Sequence, residues 1–312
     1  MKPQKNKTTQ NTKRNKKMFY EKVYEKYIDF FTDFGFKKLF GEECNKDLLL
    51  DFLNELLYEE QGRIVSINYL KTERLGYTKH TRSSIFDLYC ENERGEKFIV
   101  ELQKSEQQFF KDRALYYSTF PIVEQAKKGK WNFELQAVYT IAILNFVFDE
   151  DKDNHQKYRY NVKLTDIETH KIFYDKLTFI YLEMPKFTKK VDELQTRFEK
   201  WMYVLKNLKH LDNLPDKLRE SIFEKMFEVA EVAQLTHEEY LQYVDDLKIE
   251  RDNQNCIDTA EAKGLAKGLA KGKAEEKIQI VTNSHKAGLS VETIAAITGL
   301  THEKIIEIIS AS

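Results

Sequence analysis

The sequence predicts an α/β domain followed by a wholly helical region, and three observations carry that expectation. Short β-rich runs alternate with helical spacing across about residues 64–184. The run 137–148 is apolar on both faces, as a strand covered on both sides would be. After Pro185 the apolar residues recur only at helical intervals. Helices around such strands give a mixed central sheet flanked by helices.

The elements follow in order. Residues 1–17 hold seven Lys or Arg and no acid, and read as a basic, disordered arm. An aromatic-rich stretch follows, including Thr32-Asp33-Phe34-Gly35-Phe36-Lys37-Lys38-Leu39-Phe40. Asn45 is the expected N-cap of a helix over 46–58, whose Leu48, Leu49, Phe52, Leu53, Leu56 and Leu57 share one face. A strand at 64–70 and a hairpin at about 84–103 come next. Residues 105–128 are expected to form one helix, kinked at Pro121. Shorter strands are expected at 158–164 and 178–184.

Beyond Pro185, the segment 191–211 places Leu194, Phe198, Trp201, Leu205 and Leu208 at helical spacing, and 218–235 and 238–247 continue the pattern. In the repeat Lys263-Gly264-Leu265-Ala266-Lys267-Gly268 a glycine recurs every four residues as far as Gly272. Each glycine weakens a helix by about 1 kcal/mol relative to alanine. The repeat is either a flexible tether or a helix whose small face admits another helix, a hint of a homo-oligomer built through the C-terminal helices. At the end, Ser290 caps a helix over 291–298, Gly299 turns the chain, and Thr301 caps a helix over 302–309. That is the shape of a helix-turn-helix. Its second helix is hardly basic, so DNA binding and protein docking both stay open.

A chain of 312 residues has room for about two domains. Four prolines and eleven glycines argue against a fibrous or largely disordered chain. The net charge of −1 says nothing about partners. Cys44, Cys90 and Cys256 lie far apart in no zinc-binding pattern, and a sparse, odd set suits a reducing compartment. No apolar signal-peptide core is present, and 137–148 is too short to span a bilayer. The expectation is a cytoplasmic protein with no membrane partner. The histidines form no i, i+4 pair, and no phosphate-binding glycine loop exists.

The chemistry concentrates on the hairpin. Ile85-Phe86-Asp87-Leu88-Tyr89 is apolar except for one carboxylate, and Lys97-Phe98-Ile99-Val100-Glu101-Leu102-Gln103 places Ile99, Glu101 and Gln103 on one face. If the hairpin is centred on Arg94, Asp87 lies opposite Glu101, with Cβ atoms about 4.5–5.5 Å apart. Two carboxylates that close repel unless a proton or a cation sits between them. Mg²⁺, which favours one or two carboxylates plus waters and phosphate oxygens, is a natural occupant. Such an arrangement suggests metal-assisted hydrolysis of a phosphodiester, with Gln103 orienting the water. The plainer reading is that Asp87 faces solvent on a wet strand face. The matching acid on the paired strand weighs against it.

The runs Asp33-Phe34-Gly35-Phe36-Lys37-Lys38-Leu39-Phe40, Phe86-Asp87-Leu88, Val100-Glu101-Leu102-Gln103 and Arg113-Ala114-Leu115-Tyr116-Tyr117 together resemble the recombination-promoting nuclease / putative transposase family of the PD-(D/E)xK nuclease superfamily. The resemblance implies a PD-(D/E)xK nuclease-like α/β core, DNA as substrate, and Mg²⁺ or Mn²⁺ as cofactor. It implies that Asp87 and Glu101 bind the metal and that Gln103 stands where the superfamily usually has lysine. Asp33 is read either as the acidic residue of the first helix or as an ordinary N-cap. Lys37, Arg82, Lys104 and Arg113 are candidate phosphate contacts, each also readable as a solvated surface cation.

The expected organisation is a basic arm at 1–17, a nuclease-like domain at 18–185, a helical region at 186–250, the repeat at 251–277 and a helix-turn-helix-like module at 278–312. A metal-dependent DNA endonuclease linked to recombination or mobile elements is the expected function. The alternative is a catalytically degenerate nuclease fold acting as a DNA-binding or protein-interaction module.

Overall fold

The computed structural model describes residues 25–74, 84–126 and 129–311. The basic arm 1–17 and Arg82 therefore lie outside the described residues. The chain divides into two compact units, Met1–Leu247 and Lys248–Ser312.

In the first unit the strands in chain order are β1 (Ile67–Tyr69), β2 (Glu73–Arg74), β3 (Ser84–Ile85), β4 (Leu88–Asn92), β5 (Lys97–Gln103), β6 (Val138–Leu144), β7 (Arg159–Thr165) and β8 (Ile172–Glu183). The helices are α1 (Asp33–Phe36), continued by a π-helical turn Lys37–Gly41, then α2 (Lys46–Gln61), α3 (Phe110–Glu124), α4 (Arg197–Asn207) and α5 (Ser221–Ala230). A sixth, α6 (His237–Lys286), begins here and ends in the second unit.

Six strands form one mixed sheet in the order β1-β4-β5-β6-β8-β7. The pairs β5/β6 and β6/β8 are parallel; β1/β4, β4/β5 and β7/β8 are antiparallel. Every residue of the central strand β6 is buried, which explains its unbroken apolar run. Its Tyr139, Ile141 and Ile143 join the main core with the α2 leucines and with Trp201, Met202, Phe223 and Met226 of α4 and α5. Its Val138, Ala142 and Leu144 face Phe110 and Ala114 of α3. Helices thus cover both faces, the α/β architecture that the sequence predicts.

Local boundaries depart from expectation where tertiary contacts decide them. The run 85–89 is not one strand: Phe86 and Asp87 separate β3 from β4, and the Phe86 N–H donates to Thr72 O at 3.0 Å. The helix expected from residue 105 starts at Phe110, after Phe109 takes a left-handed φ of 63°. Asn45 precedes α2 but makes no capping bond. Its Nδ2 instead donates to Lys38 O at 2.9 Å and Glu42 Oε2 at 3.1 Å, fastening the π turn. Asp33 is not an N-cap either, because Thr32 fills that role, its Oγ1 accepting the Gly35 N–H at 2.9 Å.

In the second unit the end of α6 joins α7 (Val291–Thr298) and α8 (His302–Ser310) around Val281, Ile294, Ile305 and Ile308. Ser290 and Thr301 cap α7 and α8 through the Thr293 and Lys304 amides, and Gly299 takes the left-handed φ of 67° between them. The glycine repeat is helical, as part of α6. Among the described residues no helix is long and apolar enough to cross a membrane.

Candidate active site

The β4/β5 register runs from Glu91↔Lys97 to Leu88↔Val100, so one further step sets Asp87 across from Glu101. That is the pairing expected of a hairpin centred on Arg94. Backbone amides lock the two acids together. The Asp87 N–H donates to Glu101 Oε1 at 3.3 Å, and the Leu102 N–H donates to Asp87 Oδ2 at 2.8 Å. The break in the strand has a packing cause: Phe86 is drawn towards α3, its ring 5.2 Å from Tyr89 and 5.5 Å from Tyr117.

Glu101 is only 5% exposed. Burial, then the neighbouring charge of Asp87, push its carboxyl up to about 8, although the Asp87 amide and Arg113 oppose the rise. Asp87 is also raised, first by burial. The Leu102 amide opposes that shift, Asp33 adds to it, and Lys37 and Arg113 oppose it. Near neutral pH the pair therefore favours a shared proton or a bound cation.

The aromatic motif before α2 builds the adjoining wall. A Cβ on Gly35 would lie 2.1 Å from Asp29 O, so only glycine lets the turn close there. Phe36, Leu39 and Phe40 are buried, and Phe40 stacks on Phe52 with centroids 5.3 Å apart. Their anchoring leaves Asp33, Lys37 and Lys38 on a cavity of about 780 Å³ that Asp87 also lines. Asp33 and Lys37 form an ion pair at 2.8 Å, but both are more than half exposed, so it contributes little stability. The first turns of α6 close the cavity: Lys38 pairs with Glu239, and the Phe34 N–H donates to Asp246 Oδ2 at 2.6 Å. Glu239 and Asp246 lie some 200 residues from the motif they meet, and no local pattern in the sequence marks them. A second cavity, of about 660 Å³ beside Asp51, Glu55 and Arg159, contains none of the candidate residues.

From α3, Arg113 comes close enough for its charge to oppose the rise at both acids. Its guanidinium lies 5.1 Å from the Phe110 ring centroid and 5.8 Å from that of Tyr117. Its Nη1 donates to Gln107 Oε1. Tyr117 packs on Phe86, and Tyr116 is 37% exposed. Gln103 closes β5 half-buried, on the Glu101 face by strand alternation. Its Nε2 donates to its neighbour's carbonyl, Leu102 O, at 3.2 Å and not to the acids. Lys104 follows, also half-buried.

A family model described as PD-(D/E)XK nuclease family transposase matches residues 30–260. The chain belongs to that family. Comparisons with curated proteins and with solved structures gave no match. The matched span contains Asp33, Asp87, Glu101, Gln103 and Arg113. Membership makes the chain a nuclease-type hydrolase associated with mobile elements, with DNA the implied substrate and a divalent metal the implied cofactor class.

The acids fit such a metal. Among the described residues no group of three or more His, Cys, Asp or Glu is placed to hold one. Mg²⁺ needs fewer, taking one or two carboxylates and completing its shell with water and phosphate oxygens. Each acid commits one oxygen to a backbone amide, and among the described residues Asp87 Oδ1 and Glu101 Oε2 have no hydrogen-bond partner. These two atoms are the candidate ligands.

Proposed function

We propose that this family member is an endodeoxyribonuclease that requires Mg²⁺ or Mn²⁺ and acts in recombination or on mobile elements. The buried, amide-locked pair of Asp87 and Glu101 carries the reading, because such a pair is stable in its ionised form only with a counter-cation. Bound there, a divalent cation would polarise a phosphoryl oxygen and acidify a bound water. Asp87 and Glu101 hold the charge that such a cation balances. Gln103 turns its amide to orient the attacking water. The water oxygen bonds to phosphorus, the bond to the leaving sugar oxygen breaks, and the proton that water loses passes through solvent as the leaving oxygen gains one. Asp33 holds Lys37 at the cavity wall. Lys37, Lys104 and Arg113, with Arg82, grip the phosphate backbone.

In this reading 18–185 is the nuclease core and 186–250 packs helices on it. Residues 1–17 add a basic arm, and 278–312 form a small helix-turn-helix-like module after the repeat at 251–277. Self-association through the repeat and a cytoplasmic setting belong to the same proposal. One observation favours a second reading, a catalytically silent DNA-binding or protein-interaction module: Gln103 donates to its own backbone neighbour, away from the acids.

Supercoiled plasmid incubated with Mg²⁺ or Mn²⁺ separates the two. The nuclease reading expects nicking or linearisation by the wild type and none by Asp87→Ala or Glu101→Ala. Plasmid that is bound but stays uncut with either metal sinks it and leaves the module.

A further inference from the structure

The geometry points to Arg113 as a catalytic residue of this nuclease: its guanidinium binds the scissile phosphate itself and stabilises the charge that builds there as the bond breaks. The inference rests on the nuclease reading and goes beyond it, since the other candidate cations are proposed only to grip the backbone.

Three observations set Arg113 apart. Its side chain is pre-organised, laid between the rings of Phe110 and Tyr117 at 5.1 and 5.8 Å and held at Nη1 by Gln107. Its Nη2 is buried and, among the described residues, has no hydrogen-bond partner. A buried guanidinium donor without a protein partner is costly unless a water or a ligand completes it, and it leaves the group free to take a ligand oxygen. Finally, it stands beside the acids: Tyr117, one of the two rings it lies against, packs at 5.5 Å on Phe86, the residue that precedes Asp87. An arginine beside the two acids with a donor in reserve suits a tetrahedral, anionic group that offers two non-bridging oxygens, as a phosphodiester does.

Lys37 fits the role less well. It is tied to Asp33 at 2.8 Å and is more than half exposed, where water screens its charge. Gln103 is neutral. Arg113 is therefore the group on α3 able to place fixed positive charge where the transition state gains negative charge. It transfers no proton, because a guanidinium stays protonated.

Single-turnover cleavage and metal-free DNA binding, each measured at several salt concentrations on full-length Arg113→Ala, Arg113→Gln and Arg113→Lys, test the inference. It expects the cleavage rate at saturating DNA to fall by about 100-fold or more in Ala and Gln. Affinity for DNA should fall by no more than the loss of one phosphate contact, far less than the rate, and Lys should recover only part of the rate. Arg113→Lys keeps the charge over the rings, so it still decides the matter if Arg113→Ala melts without cooperativity. Unchanged saturating rates with weaker binding and a salt slope reduced by about one would reduce Arg113 to a backbone contact and overturn the inference. In that outcome the wild type still cuts and Asp87→Ala does not, so the nuclease reading survives. A wild type inert with every metal removes that reading, and the inference with it.

Discussion

Glu101 holds a carboxyl that burial, and then the charge of Asp87, lift from an ordinary value near 4.5 to about 8. Between those pH values the folded chain keeps a proton that the unfolded chain has released. Stability therefore falls as pH rises through that window and levels off above it. The slope is at most about 1.4 kcal/mol per pH unit. Glu101→Gln keeps an acceptor for the Asp87 amide but cannot ionise, so it should flatten the slope and be more stable than the wild type at about pH 8. Urea unfolding in chelator from about pH 5 to about pH 8 measures this directly. Parallel curves for the two proteins would show that Glu101 ionises as freely in the fold as in water. At this scale the pairing of Asp87 with Glu101 was legible, because a two-residue side-chain period and the turn at Arg94 fix the register. The direction of the Gln103 amide was not, since a long terminal side chain is set by its local partners.

Among the elements, the motif before α2 shows how sequence becomes site. Buried Phe36, Leu39 and Phe40 anchor the turn, and the polar positions between them are left to the cavity. Gly35 makes this closure feasible. Gly35→Ala would set a Cβ 2.1 Å from Asp29 O, a backbone atom that cannot swing aside. The expected loss is about 1–3 kcal/mol, read as a lower urea midpoint with an unchanged slope. A midpoint equal to the wild type would mean that the turn has slack that the packing does not suggest. Helix and strand types were mostly readable from apolar spacing, their ends less so. Thr32 caps where Asp33 was a candidate, and α3 begins only after the left-handed Phe109, because capping bonds and core contacts set those limits.

Across the whole molecule, the mixed sheet between helices was legible because β6 reads apolar on both faces and the region beyond Pro185 has only helical spacing. The meeting of Lys38 with Glu239, and of Phe34 with Asp246, was not, because nothing local encodes contacts over such separations. The repeat raises a question of assembly. Leu265 and Leu269 are 76% and 59% exposed, and a Cβ at Gly264, Gly268 or Gly272 would meet nothing within 4 Å. A glycine-laden helix with exposed leucines is better stabilised against a second copy than alone. Sedimentation should therefore show the full chain associated and a chain ending at Glu250 monomeric. The same state for both would remove the repeat from assembly. Whether Asp87 and Glu101 form a cation site is read from Mn²⁺ titration followed by the resonance of the free ion. Saturable binding to the wild type is expected, accompanied by proton release near neutral pH and abolished by Asp87→Asn and by Glu101→Gln. Binding of equal strength in both variants would contradict it.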